Sequence, residues 1–212
     1  MGLAFDRTAL RLGQLVHRRS HTKVGSFLRW GMNKWIKRIC KELKCPVEEV
    51  WGNHDGIITQ RRIDNRWGVG EATKSGSVVT LLEEYERDMN DGTCEVRIFE
   101  PVDGLGNGVG ANASMNWHLE VKGTPYDYMA YFRLMIKSLF FDVWSKAAGW
   151  EWANWCTEGM DRSFRPNPPG IDLYQTRNPT PLTSEQVAGI LPMKPGKVVT
   201  LKEVTVQVIV TI

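Results

Sequence analysis

The residues with the clearest potential for metal chemistry stand together as Gly52-Asn53-His54-Asp55. An imidazole and a carboxylate side by side are ligands of the kind that a pair of divalent cations uses in phosphate-ester hydrolysis. Such a centre needs further Asp and His ligands from several loops. The chain supplies only four histidines for it, which are His17, His21, His54 and His118.

This string resembles the GNHD/GNHE signature of the calcineurin-like metallophosphoesterases, which implies a metal-dependent phosphoesterase acting through His54 and Asp55. The other elements of that family are missing from the sequence: an upstream Asp-x-His, a GDxxD element and a later Gly-His-x-His. A polar turn capped by Asn53 and Asp55 explains the string better. We therefore expect no metal site and no cofactor.

Nucleophilic catalysis is the second chemistry to consider, because the chain has four thiols. Cys40, Cys45, Cys94 and Cys156 contain no CxxC pair, and no histidine stands at zinc-ligand spacing from them. The sequence shows neither GxSxG nor a plausible Cys/His pairing. We expect buried thiols in a reducing compartment, no catalytic residue and no enzymatic activity.

Positive charge is concentrated at the N-terminus. Residues 1–44 hold eleven Lys/Arg and two Asp/Glu, and the rest of the chain holds sixteen against twenty-two. Apolar residues recur at helical spacing from Val24 to Lys44, which predicts an amphipathic helix. Its basic side is either an ordinary solvated face or a binding site for nucleic acid, a lipid surface or an acidic part of another copy. The candidate binding residues are Arg29, Lys34, Lys37, Arg38, Lys41 and Lys44.

Tryptophan and proline mark a second region, at 148–182. A long segment with little predicted regular structure is typical of a functional loop or an extension. Tryptophan dominates protein interfaces, and it can also stack on sugars or unpaired bases. Basic neighbours are scarce here, so we predict core or interface. The candidate interface residues are Trp150, Trp152, Trp155, Pro168 and Pro169.

The remaining pattern predicts an α+β fold: a small, mainly antiparallel sheet flanked by two long helices, with long irregular loops. We expect one domain over 1–212, with a basic helical N-terminal part at 1–50. The predicted elements are a short helix at 7–18, the basic helix, a hairpin of 77–88 and 93–102 turning at Asp91-Gly92, a strand at 114–122, a helix from Pro125 to about Ala147, a short helix at 184–191 and a strand at 198–212.

The second half of this pattern resembles the tail terminator and tail-completion (neck) proteins of tailed bacteriophages in the order of its elements. The matching pieces are Met115 to Val121, Tyr128 to Trp144 and Glu203 to Ile212. The resemblance implies a non-enzymatic virion subunit that joins copies of itself into a ring. The basic N-terminus and the loop at 148–182 depart from that family.

Three hypotheses follow from the sequence. The first is the ring-forming virion subunit, made in the host cytoplasm, whose partners are its own copies and other virion proteins. The second is a nonspecific nucleic-acid-binding protein acting through the basic helix. The third is a phosphoesterase at His54 and Asp55. No stretch approaches the roughly 18 apolar residues of a membrane span, so no membrane partner is expected.

Overall fold

A computed structural model describes residues 2–43, 51–101, 104–106, 108–128, 132, 136, 156–164 and 201–210. The elements in these ranges, in chain order, are β1 (Gly2–Phe5), β2 (Leu15–Ser20), α1 (Lys23–Leu43), β3 (His54–Gln60), β4 (Trp67–Thr73), β5 (Gly76–Leu81), α2 (Leu82–Asn90), β6 (Cys94–Pro101), α3 (Val109–Asn116), a π-helical turn (Trp117–Val121), α4 (Cys156–Phe164), β7 (Leu201–Val204) and β8 (Gln207–Val210).

The fold is α+β, as the sequence predicts, and its centre is a six-stranded sheet in the order β5-β4-β3-β2-β6-β7. All of its neighbouring strands run antiparallel. β1 and β8 form a separate two-stranded sheet. Strands distant in sequence therefore become neighbours, and β2 lies between β3 and β6.

Apolar side chains cover both faces of the large sheet. Val16 and Ile58 belong to one buried cluster, which Leu82 and Tyr85 of α2 complete. Their sequence neighbours Leu15 and Ile57 belong to another. Because successive residues of a strand point to opposite faces, the two clusters lie on opposite sides of the sheet. The second cluster also contains Ala113, Trp117, Val121, Met160 and Phe164, so α3, the π-helical turn and α4 cover that side.

The amphipathic basic helix is confirmed as α1, which spans Lys23–Leu43. The short helix predicted at 7–18 is wrong, because this stretch contains a turn and then β2. Gly13 has a positive φ of 84° directly before the strand. Leu15 and Val16 are both buried, one on each face, and a sheet covered on both sides removes the alternation that signals a strand.

The hairpin predicted at Asp91-Gly92 is also wrong, because residues 82–90 form α2. Asp91 and Gly92 end this helix instead. The amide of Thr93 donates to the carbonyl of Asp88, and the amide of Gly92 donates to that of Met89. With Gly92 at φ 68°, this is a Schellman motif, which uses the same glycine conformation as a hairpin turn.

The strand predicted at 114–122 is α3 followed by the π-helical turn. Trp117 and Val121 are buried one turn apart, whereas Met115 is 54% and Leu119 63% exposed. The strand interpretation placed all four on one face. In the structure, helical spacing puts Trp117 and Val121 on the buried side and Met115 and Leu119 on the exposed side. Gly108, with a φ of 80°, precedes the helix.

The predicted second long helix lies mostly outside the described residues. Its described members Tyr128, Phe132 and Ile136 are helical and exposed. The loop at 148–182 and the helix at 184–191 also fall largely or wholly outside them. The strand predicted at 198–212 is divided between β7, which pairs with β6, and β8, which pairs with β1. No helix in the described ranges is long and apolar enough to cross a membrane.

Candidate active site

A histidine and a buried carboxylate meet on two neighbouring strands. His54 opens β3, and Glu71 lies in β4 opposite Gly56. Nε2 of His54 is 2.6 Å from Oε2 of Glu71. The Glu71 side chain is 4% exposed and the His54 side chain 21% exposed. The carboxylate is therefore enclosed, while the imidazole opens to one side.

A thiol meets the same imidazole. Cys156 is the first described residue of α4 and is buried, and its side chain lies close enough to His54 to act on the imidazole. Burial alone would lower the pKa of His54, but the charge and hydrogen bond of Cys156, together with those of Glu71, raise that pKa to about 10. The imidazole is therefore held in its protonated form at neutral pH, between a sulfur and a carboxylate.

Glu71 accepts hydrogen bonds from other residues besides His54. The hydroxyl of Tyr85, on α2, donates to Oε2 of Glu71 over 2.7 Å. Burial opposes ionisation of Glu71, but hydrogen bonds from His54, Thr80 and Tyr85 and the charge of His54 lower its pKa to about 2. Burial and the nearby Glu71 charge hold the pKa of Tyr85 well above its usual value, so Tyr85 stays a donor.

Tyr85 is itself held by Arg18, a residue of β2. The guanidinium of Arg18 lies 5.0 Å from the centroid of the Tyr85 ring, and its Nη2 atom is 2.8 Å from Asp88. A cation over an aromatic face stabilises both groups. Tyr85 is thus fixed by its ring as well as by its hydroxyl.

No Cys/His pairing is apparent in the sequence, whereas the structure brings Cys156 next to His54. Cys156 and His54 are far apart in the chain and meet only because α4 packs against β3 and β4. Catalytic thiols and their histidines are commonly adjacent in space but not in sequence. The usable signal was a histidine opening a buried β-rich run, with a cysteine in a short amphipathic helix.

The residues of the GNHD string point to different partners. Asp55 Oδ1 is 2.5 Å from Nδ1 of His17, and both side chains are almost fully buried. Asn53 accepts a hydrogen bond from the amide of Ser20. Among the described residues no group of three or more His, Cys, Asp and Glu side chains could hold a metal ion. The string therefore separates into a site histidine and a buried structural pair.

The predicted binding residues of α1 differ in their exposure. Lys34, Lys37 and Lys41 are exposed, and Arg29 and Arg38 are half-buried. Lys44 is outside the described residues. The predicted interface residues are also outside them, namely Trp150, Trp152, Trp155, Pro168 and Pro169. Cys40, Cys94 and Cys156 are buried thiols, as expected, and Cys45 is not among the described residues.

The sequence matches no protein-family model and no curated protein. Among solved structures the chain is similar to metalloprotein yiiX from Escherichia coli O157:H7, DUF1105. The two share 12% sequence identity with a TM-score of 0.48, and the match covers 77% of this chain and 69% of the other. A similarity of this size carries no conclusion about function, so the function has to be argued from the site itself.

Proposed function

We propose that the chain is a cysteine-dependent acyl-transfer enzyme, a hydrolase of an amide, ester or thioester bond. Cys156 is the nucleophile, His54 the general base and acid, and Glu71 the residue that orients the imidazole. The observation that carries the proposal is one imidazole that is bonded to a buried carboxylate and lies beside a buried thiol. A nucleophile, a base within its reach and a third group orienting that base are the constellation of covalent acyl transfer.

In this mechanism Glu71 accepts a hydrogen bond from Nε2 of His54 and leaves Nδ1 for the thiol. His54 holds the thiol proton as the thiolate attacks the acyl carbon, forming a carbon–sulfur bond. The bond to the leaving amine, alcohol or thiol breaks, and that group takes the proton from His54. Water then attacks the thioester, gives a proton to His54 and releases the carboxylic acid. The thiol of Cys156 recovers its proton from His54.

The contact with His54 supports Cys156 as the nucleophile. An imidazole beside a cysteine can take the thiol proton during attack. Cys156 has such a neighbour in His54. Cys94, in contrast, is a buried thiol whose pKa burial raises despite the nearby Arg18. The chain thus contains a candidate nucleophile and an unreactive thiol for comparison.

The test is the rate of alkylation by iodoacetamide at each cysteine of the full chain, followed by peptide mass mapping. We expect Cys156 to react at neutral pH far faster than Cys94. An acyl-enzyme formed from a p-nitrophenyl ester should add one acyl group at Cys156. Turnover should fall on the order of a thousandfold or more in C156A and H54A but not in C94A. Equal alkylation of both thiols, or an unchanged C156A variant, would refute the proposal.

The ring-forming virion subunit and the nucleic-acid-binding protein remain alternative proposals. For the first, residues 115–121, taken as a strand in the resemblance, are helical, and the Trp/Pro-rich loop is outside the described residues. For the second, α1 presents exposed lysines. Native mass spectrometry separates them: a discrete ring-sized oligomer supports the first, and a monomer with co-purified nucleic acid supports the second.

A further inference from the structure

The outward side of α1 combines aromatic and cationic residues along one line. Lys23, Phe27, Trp30, Lys34, Lys37 and Lys41 follow one another at spacings of three or four, which places them on a single stripe of a helix. Phe27 is 56% and Trp30 50% exposed. Met32, Trp35, Ile36 and Cys40 are buried on the opposite side, so the stripe faces solvent.

The apolar end of this stripe is a contiguous patch. The rings of Phe27 and Trp30 stack with centroids 5.8 Å apart and an interplanar angle of 21°. Val24, one turn before Phe27, is 68% exposed. Large apolar side chains grouped on a surface mark an interaction site, whereas isolated ones do not.

The cationic end adjoins a concave site of about 380 Å³, lined by Arg19, Ser26, Arg29, Trp30, Asn33, Lys34 and Lys37. Arg19 belongs to β2, so the site spans a strand and a helix. Nε of Arg19 is buried and has no partner within the described part of the chain. Burial and the neighbouring Arg19 charge lower the pKa of Arg29. The cations here repel one another, and a bound anion would relieve that repulsion.

Negative charge near this site is limited. The sequence from Lys23 to Lys41 holds six Lys/Arg and no Asp or Glu. Glu95 lies nearby, 3.8 Å from Arg19 and 3.0 Å from His21, and is shared between them. The site therefore keeps an excess of positive charge and fits a partner that is anionic.

We infer that this side of α1 docks on an anionic phospholipid surface. Phe27 and Trp30 enter the membrane interface, and the concave site beside Arg19 and Arg29 holds a lipid phosphate. Aromatic side chains at headgroup depth beside Lys and Arg are the pattern of interfacial helices. A helix of 21 residues is roughly 30 Å long and offers a straight contact to a flat surface.

Lipid is favoured over nucleic acid by the apolar patch. Single strands stack their bases on free aromatic faces. Here Phe27 and Trp30 stack on each other, and the aliphatic Val24 extends the patch. The inference departs from the sequence expectation of no membrane partner, which considered spanning segments only. It is independent of the proposed acyl transfer, because α1 carries none of Cys156, His54 and Glu71.

The test is sedimentation of the full chain with sucrose-loaded vesicles, made of phosphatidylcholine alone or with one part phosphatidylglycerol to two parts phosphatidylcholine. We expect binding to the phosphatidylglycerol vesicles only, weakened by added salt. Each lysine near an anionic surface contributes roughly a fivefold factor, so K34E/K37E should weaken binding by about 25-fold or more. F27S/W30S should weaken binding to the same vesicles at every salt concentration.

The matched control is K74E/K122E, which makes the same charge change at two exposed lysines outside α1 and should bind as the unaltered chain does. C156A should also bind normally, so failure of the enzyme proposal and failure of this one are distinguishable. Absence of binding to phosphatidylglycerol vesicles, or equal loss in K74E/K122E, would overturn the inference. Tighter binding to a single-stranded oligonucleotide than to the vesicles would overturn it in favour of nucleic acid.

Discussion

Tyr85 donates its hydroxyl hydrogen to Oε2 of Glu71 over 2.7 Å, and the same oxygen lies 2.6 Å from Nε2 of His54. One carboxylate oxygen is therefore held from α2 on one side and from β3 on the other. Its position fixes the orientation of the imidazole that contacts Cys156. Tyr85 acts on the thiol only through these two residues, as a positioning residue.

Replacing Tyr85 with phenylalanine removes that donor and keeps the ring. We expect Y85F to lose about 1 kcal/mol of unfolding free energy, because the buried Glu71 oxygen loses a hydrogen bond. The rate of Cys156 alkylation should fall severalfold, since His54 is held less firmly. Y128F, at an exposed tyrosine, is the matched control and should change neither quantity. An unchanged alkylation rate in Y85F would show that Tyr85 does not position the site.

The protonation of His54 can be followed directly by NMR of the labelled imidazole, assigned by its loss in H54A. The neighbouring Cys156 and Glu71 raise the pKa of His54 to about 10, so we expect imidazolium throughout the neutral range. C156A and E71Q each remove one of the two neighbours that raise the pKa of His54, so that pKa should fall. E100Q, at a buried carboxylate bonded to Gln14 and Lys202, should leave it unchanged. Titration near pH 6.5 in the unaltered chain would contradict the arrangement.

Stability should depend on pH through Glu71. Its pKa is about 2 in the folded chain against 4.5 ordinarily. Since the folded value is the lower one, the contribution is fully present above about pH 4.5 and is lost as pH falls through about 2. A shift of this size corresponds to about 3 kcal/mol. The difference in unfolding free energy between the unaltered chain and E71Q, measured with urea, should shrink over this interval. A difference in unfolding free energy that stays constant with pH would contradict this role of Glu71.

How far the sequence predicts this fold depends on which signal each element carries. α1 is predictable because one of its sides is solvated, and its apolar residues recur at helical spacing. β2 is not, since a strand covered on both faces shows no alternation. At Gly92 the signal is real but ambiguous, because a positive φ serves a hairpin and a Schellman motif equally.

The candidate site was harder to predict than the fold. His54 stands beside Asp55 in a string that suggests metal chemistry, whereas the carboxylate that it contacts is Glu71, seventeen residues later. His54 and Asp55 have different partners, since His54 contacts Glu71 and Asp55 contacts His17. The pairing of His54 with Cys156 depends on how α4 packs on the sheet, which local sequence does not encode.

The separation of His54 from Asp55 gives a prediction for the buried His17–Asp55 pair. D55A should cost about 2 to 4 kcal/mol of unfolding free energy, because His17 loses a buried partner 2.5 Å away. The alkylation rate of Cys156 in the folded D55A chain should stay normal. C156A should show the reverse, with stability retained and reactivity at this position abolished. Manganese-stimulated phosphate-ester hydrolysis lost in D55A would instead support the phosphoesterase hypothesis.

Trp117 lies between two glycines, one on the sheet and one on the helix that carries Cys156. A Cβ atom added to Gly70 of β4 would lie 2.6 Å from Cε2 and Nε1 of the Trp117 ring, and one added to Gly159 of α4 would lie 3.3 Å from its Cζ3. The Trp117 side chain is fully buried. G70A should therefore cost about 1 to 3 kcal/mol of unfolding free energy through overpacking.

The displaced ring would press on α4, so G70A should also slow alkylation of Cys156 in the folded chain. G106A is the matched control, because a Cβ atom there meets nothing within 4 Å and the φ of Gly106 is not positive. Its unfolding free energy should stay within about 0.5 kcal/mol of the unaltered value. Urea denaturation and alkylation kinetics measure both effects. If G70A loses stability while Cys156 reacts normally, Trp117 supports the core without setting the position of the nucleophile.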